Sequence, residues 1–221
     1  MDVLLRIQRA LESLYDLEAV ADVSEFLVTE LWALPESARR ATAPGQDEAL
    51  LVAEEPDGVA LSLYLSPAVL VQLERHDPER RLDATNVAAW WTALEGVSHF
   101  VCLLHHLRSG RGASLLELEL QAEVDKYALS IELLARQDPD RCPRELHPLL
   151  FRRARIDPCL ARSRQRLYAT ASEYAGRFCR HIEQAFEPRR RSLPRSATLS
   201  AQLRRFYRLP APTKLRLIDS L

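Results

Sequence analysis

Residues 114–134, SLLELELQAEVDKYALSIELL, decide how the rest of the chain is read. Leu116, Leu120, Tyr127, Ile131 and Leu134 recur at the spacing of one helix face, and Ser114 with Glu117 three residues on forms a capping box that starts the helix. An apolar stripe of this length has to pack against other helices. In the middle of the stripe stands Glu123. A carboxylate aimed into a core must be paired, bound to a metal or protonated, because an isolated buried charge is costly. Its partner has to come from the neighbouring segments. Lys126, three residues on, is one candidate, and Glu119 lies on the same side of the helix.

On the N-terminal side the pattern predicts a long helix from about Asp83 or Thr85 to Leu107, stopped by Gly110 and Gly112. Trp90, Val97, Phe100, Val101, Leu104 and Leu107 make its core stripe. The other face collects Trp91, Glu95, Ser98, His99, Cys102 and His106. No lysine or arginine occurs between Thr85 and Leu107, so that face reads as one meeting protein rather than water. On the C-terminal side, Asp157-Pro158 precedes a third long helix that carries Leu160, Leu167, Ala171, Tyr174, Phe178, Ile182 and Ala185 and stops before Pro188. His181 falls on its stripe and Arg177 at the edge.

Ahead of this bundle, Leu4, Ile7, Leu11, Leu14, Leu17 and Val20 mark an amphipathic first helix, and 24–29 is a short β-prone run. Residues 49–54 and 59–65 flank Glu55-Pro56-Asp57-Gly58 and read as a β-hairpin, with Val59, Leu61, Leu63 and Leu65 on its buried face. Ser66-Pro67 starts a short helix to about Glu74, and 143–153 holds another. The expected class is α+β and predominantly α: an N-terminal helix and small sheet packed on three long helices. Residues 1–186 are expected to form a single domain, with an α/β unit at 1–80 and the bundle at 83–186. Residues 187–221 add a basic linker and short helices around 199–207 and 213–220.

Composition bounds the function. The net charge of −1 conceals a split: residues 1–150 hold 13 Lys and Arg against 26 Asp and Glu, net −13, whereas 151–221 hold 17 against 5, net +12. Arg189, Arg190, Arg191, Arg204, Arg205 and Arg208 make a basic arm. It is expected to fold back on the acidic half or to recruit an acidic protein surface, and in Arg204-Arg205-Phe206-Tyr207-Arg208 aromatics interleave with arginines as in single-strand nucleic-acid platforms. Only Lys126 and Lys214 are lysine. That usage fits a GC-rich bacterial genome, so arginine content alone is weak support for nucleic-acid binding. Apolar runs shorter than a membrane span, no signal-peptide pattern and four scattered cysteines predict a soluble cytoplasmic chain with free thiols.

No phosphate-binding glycine loop and no nucleophile elbow is present. Two readings of the polar residues remain. In one, Glu95, His99, Glu123, Arg177 and His181 form a structural network, with Glu119, Lys126 and His106 as contacts, inside a non-enzymatic interaction or regulatory protein. In the other, Glu95, His99, Glu123 and His181 hold a divalent metal ion, because helical offsets of four and seven aim side chains the same way, and the chain is a metal-dependent enzyme. Nucleic-acid binding through the basic arm is a further alternative.

Overall fold

The computed structural model describes residues 3–19, 21–34, 36, 45–55, 58–139, 144–152, 158, 160–186 and 197–221. Helix α1 (Val3–Tyr15) leads, through a 3-10 turn capped by Asp22, into the two-residue strand β1 (Leu27–Val28). Strands β2 (Glu48–Glu55) and β3 (Gly58–Leu65) form the expected antiparallel hairpin, and β1 lies parallel to β3, giving the order β1-β3-β2. Then follow α2 (Pro67–Arg75), α3 (Val87–Arg108), α4 (Leu115–Gln137), a π-helical turn at Pro148–Arg152, α5 (Arg162–Phe186), α6 (Ala197–Arg208) and α7 (Ala211–Asp219). The fold is α+β and mostly helical, as the sequence pattern predicts. Cys142, Cys159, Arg189, Arg190 and Arg191 lie outside the described residues.

Helix α3 is the axis of the core. Trp90, Ala93, Leu94, Val97 and Phe100 are at most 3% exposed, and burying each large one contributes roughly 1.5–3 kcal/mol. It starts at Val87, later than the pattern suggests, because 83–86 is spent on a turn. There the Asp83 carboxylate accepts from Thr85, and the Asn86 amide donates to the carbonyls of His76 and Arg81. By length and composition α3 could cross a membrane, contrary to the expectation that no apolar run is that long. Yet 67% of its apolar window is covered by the rest of the protein, as befits a core helix.

Two expectations need correcting. Helix α4 is not buried along one stripe: it lies between α3 and α5, so Glu119, Gln121, Asp125, Lys126 and Ser130 are covered along with Leu120 and Tyr127, while Leu116, Ile131 and Leu134 of the predicted stripe are half-buried. Burial of the hairpin runs along the strands rather than alternating across them. Leu63, Tyr64 and Leu65 are all buried at the base, while Val52 and Val59 are exposed toward the tip.

The C-terminal helices close the far side. Leu199, Leu203, Phe206 and Tyr207 are buried; Phe206 stacks on Phe178 with ring centroids 3.9 Å apart, and Tyr207 on Tyr15 at 4.1 Å. The arginine-aromatic run therefore offers no ring to a nucleic-acid base. Arg204 donates to the carbonyls of Ser13 and Leu14 and Arg208 to that of Tyr15, which satisfies the open C-terminal end of α1. Arg205 stays exposed.

Candidate metal centre

Gly96 sets the geometry of the site. A Cβ there would lie 2.8 Å from Leu63 Cδ1 and 2.9 Å from Glu48 Cγ, so only glycine lets β2 approach α3 this closely. The approach carries Glu48, the first residue of β2, into the layer between α3 and α4. His99, 5% exposed and one turn beyond Glu95, sits between two acids there: its Nδ1 is 3.5 Å from Glu48 Oε1 and its Nε2 is 3.7 Å from Glu119 Oε2. Charge-assisted N–H···O bonds run near 2.8 Å, so both contacts are loose, and His99 Nε2 and Glu48 Oε1 are buried with no hydrogen-bond partner. Ligand atoms of Glu95, His99 and Glu119 all lie within 4.8 Å of one another.

Beside them Lys126 bridges Glu95 and Glu123. Its ammonium is 2.8 Å from Glu123 Oε1 and in direct contact with Glu95 Oε2. Glu123, the misfit of the apolar stripe, is thus held by a cation on its own helix. Its side chain is 17% exposed, against 8% for Glu119, so the stripe singled out an acid that is not the most deeply placed one.

Burial would depress His99, but Glu119 and Glu48 outweigh it and hold its imidazole well above the ordinary histidine range. Desolvation pushes Glu48 up, only partly offset by His99, and pushes Glu123 up against the pull of Lys126. For Glu95, desolvation is outweighed by Lys126 and His99 together, and its carboxyl is held below the usual value. Burial alone would lower Lys126, yet Glu95 and Glu123 raise it. Even with His99 charged, four carboxylates face two cations in this layer. Tyr168 of α5 is half-buried at its edge; burial and then the charge of Glu119, Glu95 and Glu48 push its hydroxyl up.

Two sequence candidates do not join. Arg177 turns outward, its Nη1 3.1 Å from Asp219 Oδ1 and its Nη2 donating to the Ile218 carbonyl. His181 is half-buried on α5 and is not among the clustered ligand atoms. The reason is helical phase. Ala171, Ala175, Phe178, Cys179 and Ile182 form the inward stripe of α5, and at about 100° per residue Arg177 lies roughly 145° and His181 roughly 105° from its centre.

A second polar layer lies at the α1 side of α4, and the sequence pattern missed it. The Asp125 carboxylate, 1% exposed, accepts from Ser98 Oγ (2.6 Å), Gln121 Nε2 (2.8 Å) and the hydroxyl of Tyr15. Lys214 of α7, fully buried, donates to Gln121 Oε1 at 3.0 Å and lies 3.8 Å from Glu117. His106 also faces Glu117, at 3.7 Å. Glu117 therefore turns into the core; the cap it was expected to share with Ser114 rests on its backbone N–H, 3.2 Å from Ser114 Oγ. Desolvation pushes Asp125 up to about 6, lowers Lys214, and takes the neighbouring Cys102 thiol up to about 12, which makes it an inert core residue.

Comparison with protein-family models, curated proteins and solved structures finds no match in any of the three.

Proposed function

We propose that this chain is a metal-binding helical protein holding one divalent cation among Glu95, His99 and Glu119, with Glu48 orienting His99 from its other ring nitrogen. The observation that carries the reading is the buried His99 Nε2, without a hydrogen-bond partner beside carboxylates that outnumber the cations of their layer. Ions bound at about 2.0–2.2 Å hold ligand atoms about 3–4.5 Å apart, so small side-chain rotations close this group on an ion. One imidazole among carboxylates is an oxygen-rich set that favours Mn2+ or Fe2+ over thiolate-seeking metals. The Glu95 side chain is 26% exposed, which leaves an edge open to solvent and suits an exchangeable or reactive ion better than a closed structural one.

Metal analysis of protein purified without a histidine tag, followed by titration with Mn2+, Fe2+ and Zn2+, tests this. We expect close to one equivalent, lost in His99→Ala and weakened more than about tenfold in Glu119→Gln. Less than about a tenth of an equivalent, unchanged on adding metal, overturns the reading.

A second reading keeps the layer purely structural within an interaction or regulatory protein. It is supported by the Lys126 bridge, which already pairs two of the acids, and by the exposed Arg205 on the docked basic arm, where an acidic protein surface would bind. Under either reading the setting is cytoplasmic, in keeping with the free buried thiols of Cys102 and Cys179.

A further inference from the structure

Lys126 sits in the layer differently from His99. The imidazole stands 3.5 and 3.7 Å from its acids, whereas the ammonium lies 2.8 Å from Glu123 Oε1 and in direct contact with Glu95 Oε2, on a side chain only 9% exposed. Glu95 is common to both groups. It pairs with Lys126, and its ligand atom lies within 4.8 Å of those of His99 and Glu119. The second oxygen of Glu123, Oε2, is buried with no hydrogen-bond partner, so this acid has more acceptor capacity than one ammonium uses.

Charge decides what that ammonium does. Glu48, Glu95, Glu119 and Glu123 are the four carboxylates that surround His99 and Lys126. A divalent ion that displaces the proton of His99, together with Lys126, leaves one negative charge of the layer uncompensated. Take Lys126 away and two remain, the number that a second divalent ion neutralises. Lysine suits this part, because its ammonium is a compact point charge, closer in shape to a metal ion than the planar fork of arginine.

We propose, on the metal reading above, that Lys126 is the second cation of this layer: its ammonium fills, between Glu95 and Glu123, the place a second ion would take, and so limits the chain to one divalent ion. Glu95 then serves both cations, and Glu123 is spent on the lysine rather than on the metal.

Lys126→Ala opens that place. Protein purified without a histidine tag, stripped with chelator and desalted, is titrated with Mn2+ and its bound metal counted after equilibrium dialysis. The wild type is expected to take up about one equivalent and Lys126→Ala about two, while Lys126→Arg, which keeps the charge, stays at about one. Low-temperature EPR should show an isolated Mn2+ in the wild type and a coupled pair in Lys126→Ala, because ions paired in one site lie about 3.5–4 Å apart. Truncating one side of a buried pair also destabilises, so metal-free Lys126→Ala should melt roughly 10 °C lower, and Mn2+ should restore it. An alanine variant that folds only when refolded with Mn2+ supports the proposal through the same readout. About one equivalent or less in folded Lys126→Ala, about two in Lys126→Arg, or no recovery of the alanine variant by Mn2+ overturns the proposal and leaves the one-ion site standing. No uptake by the wild type instead overturns the metal reading itself, and this proposal with it.

Discussion

Gly96 and Glu48 are in such close register that a methyl group on the glycine would lie 2.9 Å from the Cγ of the acid. An alanine normally gains about 1 kcal/mol over glycine inside a helix, but here it meets both Glu48 and the fully buried Leu63. Gly96→Ala should therefore destabilise the protein by about 1–3 kcal/mol in urea denaturation and weaken metal binding together with it. A more stable variant with unchanged metal content would show that the strand does not depend on this approach.

Metal loading should strengthen with pH. Glu119 and Glu48 keep the His99 imidazole protonated above its ordinary range, and an ion has to displace that proton. Affinity should rise by up to about tenfold per pH unit until the raised value is passed, then level off. Titrations with Mn2+ at pH 6.5, 7.5 and 8.5, and in two buffers of different ionisation enthalpy to count the released proton, measure it. A flat profile without proton release would remove His99 from the ligand set.

Asp125 should govern part of the acid side of the stability profile. Its folded value of about 6 lies above the unfolded value of about 3.9, so the native state holds a proton that the unfolded chain has lost. The resulting stabilisation is fully present below about pH 4 and disappears as pH rises through 6, a difference of about 3 kcal/mol. Asp125→Asn should flatten this part of the curve relative to wild type and stay within about 1 kcal/mol of it at pH 8, since a hydroxyl can also accept from the new amide. Asp125→Ala strands the donors of Tyr15, Ser98 and Gln121 and should cost about 2–4 kcal/mol. Denaturation curves at pH 4, 6 and 8 decide.

Lys214 anchors α7 to α4 through a buried ammonium that also lies over the rings of Phe206 (5.2 Å) and Tyr207 (5.8 Å). Lys214→Arg should fare little better than Lys214→Ala, because the slot is shaped for a compact cation and not for a planar fork. Each is expected to lower stability by about 2–4 kcal/mol and to speed limited proteolysis within 197–221, read by mass spectrometry. An arginine variant as stable and as resistant as wild type would contradict this.

Much of the fold is written in simple periodicities. The positions of the long helices, the hairpin and the Ser114 cap follow from residue spacing, turn residues and capping chemistry. The site is less legible. Glu95, His99, Glu119 and Lys126 stand out as polar residues on covered faces, but Glu48 sits at the start of a strand, where nothing local marks it as buried. Its signal is Gly96, a glycine inside an apolar helix, which marks a close approach without saying what approaches. Asp125 escaped because a one-stripe reading of α4 assigns it to the outside, whereas a helix packed on two sides has little outside. Lys214 was within reach. In a chain that writes its other cations as arginine, both lysines are buried, and the reasoning that singled out Lys126 applies to Lys214 as well.

The tie between α1 and α6 bears on how the chain is made. Arg204 and Arg208 complete the end of a helix formed by residues 3–15, and Tyr207 covers Tyr15, across a sequence separation of about 190 residues. During synthesis the first helix emerges early and must wait, with its last carbonyls open and Tyr15 uncovered, until nearly two hundred further residues have been added. A helix end completed by residues this distant in sequence is a high-contact-order pairing, the kind of contact whose loop-closure entropy slows folding.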